Sequence, residues 1–172
     1  NVENKIKVGF IFHKDNYFLL GNHFDNTYYN FFRKSLKRND RLLVKDFKTD
    51  DIFDCSNLKG EIDVILLWEN SPFGMPKELQ NIKKLDIPVI SRTGDPSRAS
   101  RSKKLHNKWK IDYYFDFFSD SFFHKIYPEE FRYKTIFYGL ETSLFQNVKP
   151  FSDRKKNRIL NSGNIGNDKF VS

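Results

Sequence analysis

A chain of 172 residues suits one domain with a substantial core, and its 29 aromatic residues (19 Phe, 8 Tyr, 2 Trp) exclude a disordered chain despite only 38% hydrophobic content. The single cysteine, Cys55, excludes an internal disulfide and predicts a reducing, cytoplasmic setting. No apolar run approaches the roughly 20 residues of a membrane span, the N-terminal residues carry no signal-peptide pattern, and the formal charge of +8 admits nucleic acid, acidic lipid or phosphorylated small molecules as partners.

In chain order, short apolar runs alternate with segments of helical spacing. "KIKVGFIF" (Lys5 to Phe12) predicts a first strand, and "DNTYYNFFRKSLKRND" a helix that brings Tyr28, Phe31, Phe32 and Leu36 to one face, with Asp25 or Asn26 as N-cap. "RLLVKDF" (Arg41 to Phe47) and "DVILLW" (Asp63 to Trp68) predict the next two strands. "MPKELQNIKKL" predicts a helix, with Pro76 in its first turn and Leu79, Ile82 and Leu85 as its apolar stripe. "PVISR" (Pro88 to Arg92) reads as a strand and "SRSKKLHNKWK" as a helix with Leu105 and Trp109 four apart. "DYYFDF" (Asp112 to Phe117) is a further strand, "SDSFFHKIYPEEF" a helix broken at Pro128, and "KTIFYG" (Lys134 to Gly139) a sixth strand. Strands alternating with helices, several of them apolar along their whole length, predict an α/β fold: a Rossmann-like three-layer sandwich with a mostly parallel sheet of about six strands and helices on both faces.

Ligands of such sheets sit at the carboxyl ends of the strands. The long loop after the first strand, "HKDNYFLLGNHFDNT", offers His13, Asn22 and His23 as polar groups, while Asp25 fits a helix cap. After the third strand, "WENSPFGMP" offers Glu69 and Asn70, placed either to accept hydrogen bonds from ligand hydroxyls, to cap a helix, or to pair with Arg92. "SRTGDPSRASRSKK" gathers Arg92, Asp95 and Arg98 as an anion site, with Lys103 and Lys104 read as a solvated helix face. Near the C-terminus, "SGNIGND" brings Gly163 and Asn164 into a glycine loop whose backbone N–H groups could approach phosphates. No third ligand accompanies His13 and His23, so no metal site is expected. Neither a Walker pattern nor G-x-G-x-x-G follows the first strand, which disfavours a P-loop enzyme or a dinucleotide oxidoreductase.

After Gly139 the texture changes. "YGLETSLFQ" leads through a charged, proline-containing linker into "RILNSGNIG", a fresh strand and glycine turn. This passage, with Gly139, Glu141 and Phe145 in matching positions, resembles the interdomain stretch of GT-B glycosyltransferases of the group-1 or spore-maturation-like branch. Glu141 stands where Asp is commoner, and Pro150 comes later than in the family pattern. The stretches "DYYFDFFSDSF" and "ISRTGDPSR" resemble strands and loops of the same branch. The resemblance implies residues 1–150 as an acceptor-side domain and residues 151–172 as a linker and the first strand of a donor-binding domain. It further implies a sugar-nucleotide-dependent transferase acting on a glycan or other cell-envelope acceptor. The sugar nucleotide would be a substrate, this stretch would hold no cofactor of its own, and it would be inactive alone.

The basic surface would suit peripheral membrane association. No nucleic-acid partner is expected, since the aromatics lie in apolar runs rather than among exposed basic residues. The alternative is a non-catalytic flavodoxin- or receiver-like binding module. Against it, "GFIFHKD" lacks a receiver's paired acids and "HKDNYFLLGN" lacks a flavin phosphate loop.

Overall fold

A computed structural model describes residues 4–16, 28–68, 74–136 and 150–153, with backbone alone for 28–31 and 151. The chain divides into two compact units, Asn1–Leu140 and Glu141–Ser172. The described part of the second is a single 3-10 turn, Phe151–Asp153, after Pro150.

The first unit is an α/β layer. Its strands are β1 (Ile6–His13), β2 (Leu42–Thr49), β3 (Ile52–Asp54), β4 (Val64–Leu67), β5 (Glu78–Gln80), β6 (Val89–Arg92), β7 (Tyr113–Asp116) and β8 (Tyr133–Thr135). The helices are α1 (Tyr28–Arg38), α2 (Ala99–Trp109) and α3 (Asp120–Ile126). Six strands form one sheet in the order β2-β1-β4-β6-β7-β8, and every pair in it is parallel. β3 and β5 form a separate parallel pair.

The unbroken apolar runs are explained by burial on both faces. Val8, Phe10, Phe12, Leu66 and Phe115 point into one core, joined by Phe32 and Leu36 of α1. Ile11, Ile65, Leu67 and Tyr114 point into the other, covered by Leu105 and Trp109 of α2 and Phe123 of α3. α1 crosses from β1 to β2 in one direction, while the later crossovers run the opposite way on the opposite face. Right-handed connections on either side of a switch point demand that division. The switch lies between β1 and β4, so their carboxyl ends flank the natural crevice of the sheet.

The abundance of phenylalanine and tyrosine has a local use. Beneath β7 and β8, Phe123 stacks on Tyr133 at 4.0 Å and on Tyr127 at 4.5 Å, and Tyr114 stacks on Phe131 at 5.3 Å. Offset pairs of this kind add about 0.5–1.5 kcal/mol each beyond area burial. They let a seven-residue helix, ended before Pro128, hold its edge of the sheet.

One predicted helix is absent. Residues 76–85 form β5 followed by a 3-10 turn, Ile82–Lys84, rather than an α-helix. Leu79, Ile82 and Leu85 are all buried, yet their spacing of three suits a strand followed by a 3-10 turn, where i and i+3 align. Asn81 sits between them in the left-handed region at φ 60°, and its amide donates to Asp54 Oδ1 at 2.9 Å. That residue breaks the helical path and ties β5 to the end of β3. The proposed caps Asp25 and Asn26 lie outside the described residues.

Candidate functional site

The two ends of the sheet differ in chemistry. At the amino end, carboxylates close the strands: Asp63 accepts from Lys7 N at 2.8 Å and Asp112 accepts from Val89 N at 2.8 Å. Each aspartate directly precedes its own strand and staples the first N–H groups of a neighbour.

The carboxyl end is organised around Asp116, the last residue of β7, which is 2% exposed. Its Oδ2 accepts from Thr93 Oγ1 at 2.8 Å and Gly94 N at 2.9 Å, and its Oδ1 from Phe117 N at 2.9 Å. Arg92 Nη2 lies 3.4 Å from Oδ1, and the guanidinium sits 5.3 Å from the Trp68 ring centroid. Arg92 is 4% exposed and Trp68 1%. One buried carboxylate therefore locks the loops after β6 and β7 together, while Arg92 reaches across to the end of β4. Gly94, at φ 71°, takes a conformation that side-chain-bearing residues rarely adopt, which lets its N–H face Asp116.

Beyond Gly94 the chain turns into α2. Asp95 caps the 3-10 turn Pro96–Arg98, accepting from Ser97 N at 2.8 Å. That N–H holds the Asp95 carboxyl below its ordinary range. Arg98 is exposed at the N-cap of α2, and Arg101 lies in the first turn. Burial and the neighbouring Arg98 lower the Arg101 pKa, making its charged form less favourable than usual.

At the switch point, β1 ends in His13. Its Nδ1 accepts from Asp15 N at 3.1 Å, and its Nε2 lies 3.3 Å from Asp51 Oδ1. The neutral ring therefore carries its proton on Nε2, and its base nitrogen is engaged by the backbone. Lys77 pairs with Asp51 at 2.7 Å and draws the Asp51 pKa down, with His13 contributing less. The His13 and Asn16 segment is also tied to the far side of the crevice. His13 N donates to Gly74 O at 3.0 Å, and Asn16 Nδ2 donates to the same oxygen at 3.1 Å. His13 thus braces the exit of β1 against the β2–β3 connection.

Of the residues singled out from the sequence, the structure brings Arg92, Asp95 and Arg98 into one strand end and turn, and puts His13 at the end of β1. Asn22, His23, Glu69, Asn70, Gly163 and Asn164 lie outside the described residues. Asp116 escaped the sequence reading. Its signal was an acid closing an apolar strand, with an arginine closing the neighbouring one. Among the described residues no group of three or more His, Cys, Asp or Glu side chains could hold a metal ion, and no helix is long and apolar enough to cross a membrane. The fold and rim define a Rossmann-like α/β layer whose loops after β6 and β7 are joined through Asp116. No family model, curated protein or solved structure matches the chain.

Proposed function

We propose that the chain is the acceptor-side domain of a GT-B glycosyltransferase that moves a sugar from a sugar nucleotide to a glycan or other cell-envelope acceptor. The observation that carries this reading is the switch point of the parallel sheet between β1 and β4, with the neighbouring ends of β6 and β7 joined through Asp116 and Arg92. A rim of that kind supports a ligand crevice built before the ligand arrives. The resemblance of the passage from "YGLETSLFQ" to "RILNSGNIG" to the GT-B interdomain stretch supports the same reading.

In this reading the loops after β1 and β4, with Asn22, His23, Glu69 and Asn70, recognise acceptor hydroxyls. His13 orients the first of these loops. Arg98, exposed at the N-cap of α2, offsets the negative charge that develops as the nucleoside diphosphate leaves the anomeric carbon, while the buried Arg92 holds the strand ends behind it. Gly163 and Asn164 belong to the loop that meets the donor phosphates.

The test is release of nucleoside diphosphate from a panel of sugar nucleotides, by the protein encoded with whatever segment follows the chain. Acceptor-dependent release is expected, with none from residues 1–172 alone. Absence of release across the panel, together with stoichiometric retention of flavin mononucleotide, would replace this reading with the flavodoxin-like binding module.

A further inference from the structure

The turn that leaves β1 buries a polar side chain whose hydrogen bonding is only half complete. Asn16 is 2% exposed, and its backbone N–H donates to His13 O at 3.0 Å. Its Nδ2 donates to Gly74 O at 3.1 Å. A carbonyl oxygen can only accept, so that contact fixes which end of the amide is nitrogen. The other end, Oδ1, is buried and finds no hydrogen-bond partner among the described residues.

Its place in the fold is the switch point. Lys14 N donates to Thr49 O at 2.7 Å, on the β2 side of β1, and His13 N donates to Gly74 O at 3.0 Å. Successive N–H groups of a strand point to opposite edges, so Gly74 stands on the β4 side. The Asn16 amide therefore ties the exit of β1 to the chain that returns after β4, at the carboxyl-end crevice between those two strands.

Buried amide oxygens are nearly always satisfied, and one left open is unfavourable. The neighbouring polar groups are already engaged. Gly74 O takes both His13 N and Asn16 Nδ2, His13 Nδ1 takes Asp15 N, and Thr49 Oγ1 donates to Phe12 O at 3.1 Å. Asp46 Oδ1, also buried without a partner, differs in kind, since the second oxygen of its carboxylate pairs with Lys37.

What Asn16 Oδ1 needs is a donor. A neutral amide oxygen takes an O–H or N–H and repels the ionised oxygens of a phosphate. We propose that Asn16 is a specificity-determining residue whose Oδ1 accepts a hydrogen bond from a saccharide hydroxyl bound at the switch point. This inference rests on the glycosyltransferase reading and deepens it: the turn after β1 reads the sugar, of the acceptor or of the sugar nucleotide, rather than the diphosphate. Because the oxygen is closed to solvent in the free chain, the ligand reaches it as that turn shifts, and the hydrogen bond gained offsets the cost. A ligand lacking the matching hydroxyl leaves the oxygen unsatisfied and is rejected on that account.

Amide-shift titrations of the whole chain with maltotetraose, cellotetraose, chitotetraose and UDP-glucose measure affinity, and urea unfolding measures stability. Asn16→Leu keeps the approximate shape of the side chain but removes both polar ends. It should weaken saccharide binding by roughly tenfold or more. The urea midpoint should shift little, since the open acceptor goes too and Gly74 O keeps His13 N. Asn16→Ala, too small to clash, should show the same loss of affinity. A loss confined to the tetrasaccharides would put the hydroxyl on the acceptor, and one confined to UDP-glucose would put it on the donor; either supports the proposal. Binding unchanged in both variants would overturn this inference alone, because the amide would then serve only the fold. Absence of binding of every probe to the parent chain would overturn it together with the reading it rests on.

Discussion

Replacing Asp116 is the sharpest perturbation of the rim. Asp116→Asn keeps the shape of the side chain but removes the charge beside Arg92 and turns an N–H₂ group toward donors. In the native arrangement three donors, Thr93 Oγ1, Gly94 N and Phe117 N, lie at 2.8–2.9 Å, and Arg92 Nη2 at 3.4 Å. Loss of one partner of a buried ion pair costs about 3–5 kcal/mol, much of it from the charge left behind. A conflicting donor adds about 1–3 kcal/mol. An overall loss of about 4–8 kcal/mol is expected, a large part of the roughly 5–15 kcal/mol that holds a domain folded. Arg92→Met should cost less, about 1–2 kcal/mol, because Asp116 keeps its three short hydrogen bonds and the methionine stem still covers Trp68. Urea unfolding followed by tryptophan fluorescence reads both effects, since Trp68 and Trp109 are each 1% exposed. A loss below about 1 kcal/mol for Asp116→Asn, or equal losses for the two variants, would refute the view that Asp116 is the hub of the rim.

Gly94→Ala should lose about 1–2 kcal/mol in the same assay, because φ 71° strains any side-chain-bearing residue; an unchanged midpoint would show that the turn relaxes freely. His106 stacks on Phe131 at 3.8 Å, and burial, opposed by Glu130 and Asp112, lowers its pKa. The folded state therefore favours the neutral ring. Its contribution is full above the unfolded pKa near 6.5 and is lost as pH falls through the lowered folded value, so His106→Gln should flatten the stability profile below about pH 6.5. A profile as steep as that of the parent protein would contradict this. Burial pushes the Cys55 thiol up to about 12, so a maleimide at neutral pH should label it only on unfolding, and rapid labelling of the native protein would be inconsistent with the core described.

The sequence was most legible where one physical cause acted. Strands buried on both faces need continuous apolar runs, and three of the six main-sheet strands stand out on that basis, the others as shorter apolar runs between helical segments. α2 and α3 followed from helical spacing and from the stop at Pro128. The segment 76–85 misled because three buried residues at spacing three satisfy either a helix or a strand with a 3-10 turn. The decision rested on pairing with Ile52–Asp54, a contact about 26 residues away in sequence. β3 itself, only three residues long with Ile52 exposed, carries almost no local signal. At the rim, Arg92 stood out as a charge at a strand end, but Asp116 gained its meaning only when β7 came to lie beside β6. Asp95 and His13 show the converse. Both are polar groups at strand ends, and backbone N–H groups engage both.

Mapping amide shifts of the isotope-labelled chain, titrated with a sugar nucleotide and an oligosaccharide acceptor, tests most directly whether the braced rim is where ligand binds. Perturbations are expected at His13–Asn16, at Thr93–Arg98 and at Phe117–Ser119, with the amino-end staples at Lys7, Asp63, Val89 and Asp112 unmoved. Shifts confined to the amino end, or centred on Lys83 and Lys110 instead of the rim, would contradict the account.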